Sequence, residues 1–451
     1  MSDRKSNNAI TGFASIEAYE PYVRDLEALA QDTRIGTYST YCGQVAAALD
    51  GQPSQRLREL VDLSARRDAG AFFTSAQLRS RVADLLNPTR NTRMLLLDPA
   101  CGAGDLLLAC VKHLPIAQDL ETTIDMWGQM VYGYDIHPEF VRAAKARLIM
   151  AAVERCCSTI SKSQEIVKDA FPHLCVRDAL DASQAMPPAT HVILNPPYAA
   201  VSAPDDCTWG SGKVSSAAVF VESVLSRIAT GTHVISILPD VLRTGSRYHK
   251  WRHRVKQISL LKSVQVIGQF DRWTDVDVFI AHFVVGASAI ANIVRWWNTV
   301  EMIDQKCVRD YFTVGIGPVV PHRDPKKGPW RKYIYARLLS GQGSFDSDTA
   351  SSRRYAGRCF MPPFVVVRRT TRPNRRTRIL ATFVKGTKPV AVENHLIVLE
   401  PRDGSIDLCQ KLIQSLDVEQ TQQWLDERIR CRHFTVSSLK ELPLWGLEHD
   451  I

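Results

Sequence analysis

The residues best suited to chemistry stand in one short run, Asn195-Pro196-Pro197-Tyr198, directly after the apolar stretch Val-Ile-Leu. The two prolines remove backbone donors and stiffen the segment, leaving its carbonyls to face outward as acceptors. The Asn195 side-chain oxygen and the Pro196 carbonyl make a pair of acceptors that suits an exocyclic amine on a planar ring. Such an amine is a poor nucleophile because its lone pair is delocalised into the ring. Holding both of its N–H groups localises that pair toward an incoming carbon. Tyr198 adds an aromatic face for the ring to stack on. The rate gain would come from placement, with no metal and no covalent nucleophile.

A second group of residues reads as a binding site for a cation. In Leu97-Asp98-Pro99-Ala100-Cys101-Gly102-Ala103-Gly104-Asp105, an acid ends an apolar run and small residues follow. Ala100, Cys101, Gly102 and Gly104 let a backbone approach a ligand closely, and the next helix turns its N-terminus toward it. With only two glycines this is not the dinucleotide fingerprint. Asp98 suits a positive ligand better than a pyrophosphate, and S-adenosylmethionine carries a sulfonium and an ammonium. Further on, Tyr134-Asp135-Ile136-His137-Pro138 places an acid at a strand end, where it can accept ribose hydroxyls. Ile136 would pack on the adenine ring of the cofactor. Asp178 and Ala179, after a third strand, fit either the cofactor's adenine amino group or a helix N-cap.

The elements that must position these residues alternate. Strand-like runs at 94–98, 130–135, 173–178, 191–195, 233–239, 263–270 and 278–285 are separated, among the early ones, by helical patterns. This predicts an α/β domain over residues 70–285: a Rossmann-like, doubly wound, mostly parallel seven-stranded sheet closed by an antiparallel hairpin. Residues 1–69 read as short helices broken by Gly36, Gly43, Gly51 and Pro53. Residues 286–451 read as a mixed α+β domain, with loops at 317–330 and 338–354 and a single helical stretch at 408–430.

Charge divides along the same lines. Residues 1–285 hold 30 basic and 30 acidic side chains, whereas residues 286–451 hold 26 basic and 17 acidic, so the net +9 lies in the last third. A polyanion docking there is the simplest reason for the asymmetry. The 11 cysteines show no zinc spacing and read as reduced thiols. With no membrane-length apolar run and no secretory leader in view, the expected location is the cytoplasm.

Together these motifs resemble the N6-adenine DNA methyltransferase family, in the gamma arrangement shared by restriction–modification methyltransferases and type I modification subunits. The resemblance spans about residues 66–285: cofactor site, then Asn-Pro-Pro-Tyr, then a recognition domain. It implies S-adenosylmethionine as cofactor, double-stranded DNA as substrate, base flipping, and adenine-specific methylation in a restriction–modification or phage-defence setting. A separate restriction endonuclease or specificity subunit is an implied partner. Gly70-Ala71-Phe72-Phe73-Thr74-Ser75 matches the segment whose threonine contacts the methionine part of the cofactor, with Ser75 where a proline is usual. The family also implies an aromatic opposite Tyr198 on the flipped base, here Phe270 or else Trp273. Phe434–Pro443 resembles a segment near the end of the family's recognition domains. Arg368, Arg369, Arg372, Arg375, Arg376 and Arg378 are the expected DNA contacts, on phosphates or guanine edges. RNA-base, protein-glutamine and N4-cytosine methylation use related motifs. A non-catalytic DNA-binding component with this fold is a further alternative.

Overall fold

The computed structural model describes residues 16–35, 38–68, 74–86, 93–156, 170–270, 276–286, 294–297, 306–339, 343–370, 379–428 and 434–445. They fall into two compact units, one of residues 1–242 with 248–295, the other of 243–247 with 296–451.

In the first unit, strands β1 (Leu96–Asp98), β2 (Val131–Asp135), β3 (Leu174–Val176), β4 (His191–Leu194), β7 (His233–Pro239), β8 (Ser259–Gln269) and β9 (Asp277–Val285) form one sheet in the order β3-β2-β1-β4-β7-β9-β8. A separate two-stranded ribbon, β5 (Ala200–Ser202) with β6 (Lys213–Ser215), follows the Asn-Pro-Pro-Tyr run and has no counterpart in the sequence reading. The first five strands of the sheet pair in parallel, and β9 and β8 are antiparallel. β1 and β4 consist wholly of buried residues, as sheets covered on both faces require. Asp98, Asp135 and Asn195 therefore sit at C-terminal strand ends along one edge of the sheet. The order reverses between β1 and β4, the switch point at which open α/β sheets hold ligands.

The N-terminal helices α1 (Glu20–Ile35), α2 (Tyr38–Leu49), α3 (Gln52–Leu60) and α4 (Leu63–Asp68) belong to this unit. Gly43 lies inside α2 rather than ending it, because its missing side chain leaves the helical hydrogen bonds intact and tertiary packing offsets its poor propensity. After α5 (Ala76–Leu85), α6 (Asp105–Cys110) and α7 (Leu120–Gly128) comes the 19-residue α8 (Pro138–Cys156), with twelve buried residues on several faces. A helix that is apolar all round needs cover on both sides. The sheet core takes Val141, Ala144 and Leu148. The cluster built by the N-terminal helices takes Phe140, Ala143, Ala146 and Met150. Arg142 anchors the same packing by ion pairs to Glu20 at 2.8 Å and Glu27 at 2.5 Å.

The remaining helices of this part of the chain include α9 (Ser216–Arg227), α10 (Asp240–Thr244) and α11 (His249–Ile258). Among the described residues no helix is long and apolar enough to cross a membrane.

The second unit begins with helix α12 (Val308–Tyr311). Its five-stranded sheet joins β10 (Phe312–Ile316), β17 (Leu396–Pro401), β14 (Phe364–Arg368), β15 (Ala381–Lys385) and β12 (Gly343–Asp346) in that order. A second sheet joins β13 (Ser352–Arg354), β11 (Trp330–Ile334) and β16 (Val390–Val392). β14 shows period two: Val365 and Val367 face one core with α13 (Ile406–Asp417) and α14 (Glu419–Arg428), while Phe364 and Val366 face another with Ile334 and Val392. The stretch at 338–354, expected as loop, supplies β12 and β13. They are edge strands, and an edge tolerates their polar composition. The helical stretch at 408–430 breaks at Val418, which has extended backbone angles. Helix α15 (Val436–Lys440) opens with a capping box between Thr435 and Ser438.

The turn from β1 into α6 depends on Gly104, whose φ of +86° is left-handed and whose Cβ, if present, would lie 3.1 Å from the Ala144 Cβ. Gly104→Ala should lower unfolding stability by about 1–2 kcal/mol, the cost of that backbone region for an L residue. Denaturant unfolding of the purified variant measures it.

Candidate active site

Three carboxylates converge on the turn after β1. Asp98 is 1% exposed and accepts from the Ala100 N–H at 3.1 Å. Asp135 takes the Gly102 N–H at 3.0 Å on one oxygen. Its other oxygen takes the His137 N–H at 2.9 Å and the His137 Nδ1 at 3.0 Å. Asp105 is buried at the start of α6. Burial, with Asp135 and Asp105 nearby, pushes the Asp98 carboxyl up to about 8 against the single backbone hydrogen bond that opposes it. A buried acid among acids is poorly compensated, and a cation is what it lacks. The residues therefore fit a ligand that brings a sulfonium and an ammonium.

The motif residues occupy distinct places on this edge. Cys101 and Ala179 are buried; Ala100, Gly102, Ile136 and Asp178 are half-buried. The Cys101 N–H bonds the Tyr134 carbonyl and locks the turn to β2. Asp178 accepts from the Leu180 N–H at 2.8 Å, a local turn rather than a helix cap. The Arg227 guanidinium clamps that loop through the carbonyls of Ala179, Asp181 and Gln184 at 2.7, 2.8 and 2.6 Å.

Asn195 is held on both sides of its amide. Its Nδ2 donates to the Thr74 hydroxyl at 3.0 Å, and its Oδ1 accepts from the Tyr198 hydroxyl at 2.8 Å. The Pro197 carbonyl accepts from the Ser216 hydroxyl, tying the second proline to the start of α9. Tyr198 and Phe270 meet edge to face, with centroids 5.9 Å apart and planes at 79°.

This geometry departs from the expected base slot in two ways. The Tyr198 hydroxyl occupies the Asn195 oxygen expected to hold a substrate amine. Phe270 is 4% exposed and part of the main core, so a ring entering between the two aromatics must displace one of them. The reason is apolar burial: the two rings cover each other at the edge of the core. Burial also raises the Tyr198 phenol well above its ordinary range. Trp273 lies outside the described residues, as do residues 70–73 of the segment before Thr74.

Sequence reading did not find Arg79 or Arg147 as part of this site, and it gave Asp105, the last residue of the glycine run, no role. Arg147 is fully buried and pairs with Asp105 at 2.9 Å. The available signal was an arginine amid the alanines and aliphatics of α8, a position expensive to fill unless paired.

In the second unit the expected DNA contacts are only partly described. Arg372, Arg375, Arg376 and Arg378 lie outside the described residues. Arg368 and Arg369 are half-buried and donate to the main-chain carbonyls of Leu339 and Asn394. Arg368 also lines a cavity of about 610 Å³ with Tyr333, Tyr335, Arg337, Glu393 and His395. Among the described residues no three His, Cys, Asp or Glu side chains are arranged to hold a metal ion.

The fold is that of an S-adenosylmethionine-dependent methyltransferase domain. Residues 57–264 match the family model described as N-6 DNA Methylase. Among solved structures, the Type IIL restriction-modification enzyme MmeI in complex with DNA aligns over 87% of this chain and 70% of its own, at 12% identity and a TM-score of 0.53, and so shares the fold. A type I restriction-modification methyltransferase subunit from Streptococcus thermophilus aligns over 52% of this chain at 15% identity and a TM-score of 0.35. This chain spans 50% of the length of that subunit. The type I restriction enzyme EcoKI M protein aligns over 62% of this chain and 65% of its own, at 14% identity and a TM-score of 0.36. No curated protein matches the chain.

The raised Asp98 carboxyl has a consequence for stability. It stays protonated in the folded chain up to about pH 8, whereas unfolded it ionises near its ordinary value of 3.8. The folded state thus binds more protons in that window, and stability falls as pH rises through it. Asp98→Asn removes the ionisation, so thermal melts should show the variant gaining on the parent from about pH 4 to pH 8. A gap that is flat with pH would contradict the assignment.

Proposed function

We propose that the chain methylates the N6 amino group of adenine in double-stranded DNA at a specific sequence, within a restriction–modification or related defence system in the cytoplasm. The observation that carries the reading is the placement of Asn195 and its acceptor oxygen beside the acid-lined turn, at the switch point of a fold whose residues 57–264 match the N-6 DNA Methylase model. Asp98 would face the positive end of S-adenosylmethionine and Asp135 its ribose. Ile136 would pack on the cofactor's adenine, with Ala179 and Asp178 bordering the same ring. When bound, that cofactor supplies a methyl group made electrophilic by the sulfonium.

The chain's own residues do the rest by placement. A target adenine must leave the stack to reach this edge of the sheet. Its amino protons would be taken by the Asn195 Oδ1 and the Pro196 carbonyl, which directs the nitrogen lone pair at the methyl group. Tyr198 gives up its bond to Asn195 on base entry and turns its face to the ring. Exchanging a hydroxyl donor for an amine donor keeps Asn195 satisfied, so entry costs little in hydrogen bonding. The proton lost after transfer leaves to solvent, as no group of suitable basicity is required once the amine is alkylated. The basic second unit would supply DNA affinity, and a separate restriction or specificity subunit is the fitting partner.

Expression in a bacterial host free of DNA methylation, followed by mass spectrometry of DNA hydrolysates, tests the reading. N6-methyladenine is the expected product. N4-methylcytosine in its place, or methylated RNA with unmodified DNA, would overturn it. Asn195→Ala should abolish the product while cofactor binding, followed by calorimetry, persists.

Tyr198 variants separate stacking from gating. Tyr198→Ala should slow methylation on the order of 10- to 100-fold, the range expected for losing one base–aromatic stack. Tyr198→Phe keeps the face and frees the Asn195 oxygen, so its single-turnover rate should equal or exceed the parent's.

A further inference from the structure

We infer that Asp105 is a positioning residue for the Asn195 amide, linking the N-terminal helices to the candidate catalytic loop through Thr74. The inference rests on the reading of Asn195 as the amine acceptor and gives Asp105, which closes the glycine run, a role that the motif reading left unassigned.

The link is a continuous chain of polar contacts. One Asp105 oxygen accepts from the Thr74 backbone N–H at 3.1 Å, and the Thr74 hydroxyl takes the Asn195 Nδ2 at 3.0 Å. The other Asp105 oxygen faces two guanidiniums, Arg147 at 2.9 Å and Arg79 at 3.4 Å. Arg147 spends its remaining donors on main-chain carbonyls: Ala48 at 2.8 Å and Leu49 at 3.3 Å, both in the last turn of α2, and Ala103 at 2.5 Å in the glycine turn. Arg79 reaches the Leu49 carbonyl at 3.4 Å and pairs with Asp50. One buried carboxylate therefore touches, directly or through one residue, the end of α2, the turn after β1 and the loop after β4.

The division of the carboxylate is what points to positioning rather than to simple neutralisation of Arg147. A carboxylate serving the arginines alone would offer both oxygens to them, because bidentate pairing is the stronger geometry. Asp105 instead commits one oxygen to a backbone N–H whose own residue holds the Asn195 amide. Thr74 lies 121 positions from Asn195 in the chain, so its hydroxyl has no local means of staying in register with that amide. The Asp105 bond fixes its backbone, and the arginines fix Asp105 against the helices. The amide is then held before any substrate arrives, which is the arrangement that keeps reacting atoms placed to within a fraction of an ångström.

A double-mutant cycle with a spectroscopic readout tests this. In protein labelled with 15N at asparagine, the Asn195 side-chain amide signal is assigned by its loss in Asn195→Ala. Thr74→Val and Asp105→Asn should each move that signal, and the double variant should match Thr74→Val alone. In single-turnover methylation each single variant should fall about 10- to 100-fold, with the double no slower than Thr74→Val. An unmoved Asn195 signal in Asp105→Asn, or rate losses that multiply, would overturn the proposal. Asp105→Ala, whose thermal melt reports the cost to the fold, separates loss of stability from loss of position. If the parent protein methylates no nucleic acid, the functional reading fails, and the amide signal still decides whether Asp105 acts through Thr74.

Discussion

The parallel register of β1 with β2 on one side and β4 on the other is the constraint on which the rest depends. Leu96 pairs with Val131 and with His191, so Asp135 and Asn195 come level with each other, two residues beyond Asp98. Each end carries a polar residue that no neighbouring strand satisfies. The order reverses at β1 and β4, so the helices that follow them leave on opposite faces and open a crevice there. Shifting β4 by one residue would turn Asn195 to the opposite face of the sheet.

The crevice is electrostatically lopsided. Asp98, Asp105 and Asp135 stand close, and two of the three are compensated locally: Asp105 by guanidiniums, Asp135 by two backbone N–H groups and His137. Asp98 is left with one backbone bond and deep burial. Buried acids of this kind mark functional sites more often than structural ones. On the other side of the crevice the polar groups satisfy one another, with Tyr198 bonded to Asn195, Asn195 to Thr74 and Thr74 to Asp105. The site thus has one half that seeks a cation and one half that must exchange a partner to accept an amine.

The second unit shows how charge counting and charge placement differ. Its excess of basic residues is legible in composition, and a polyanion partner follows from it. Composition does not say where each guanidinium points. Arg368 and Arg369 come from the run expected to contact DNA, and in the fold Arg368 ends β14 and both residues bond to main-chain carbonyls. An arginine at the end of a buried strand is drawn to orphan carbonyls near it, because those groups would otherwise lack donors.

Local order in the sequence determined the strands, the glycine turn and the reading of Asn195-Pro196-Pro197-Tyr198. Strand ends, small residues and prolines act over a few positions, so apolar runs and their punctuation carry that information. The seven strands of the first sheet fall within a few residues of the runs that announced them. Pairing across long separations was not legible in the same way. Residue 105 against 147, residue 74 against 195 and the edge-on meeting of Tyr198 with Phe270 depend on which side chains the completed fold brings within hydrogen-bond reach or excludes from water. The tertiary structure alone decided that the N-terminal helices share a core with α8. It also decided that the Asn195 oxygen is engaged by Tyr198, and that a buried aspartate stands behind the threonine that holds the same amide. Desolvation and packing act between groups distant in sequence, and no window along the chain encodes them.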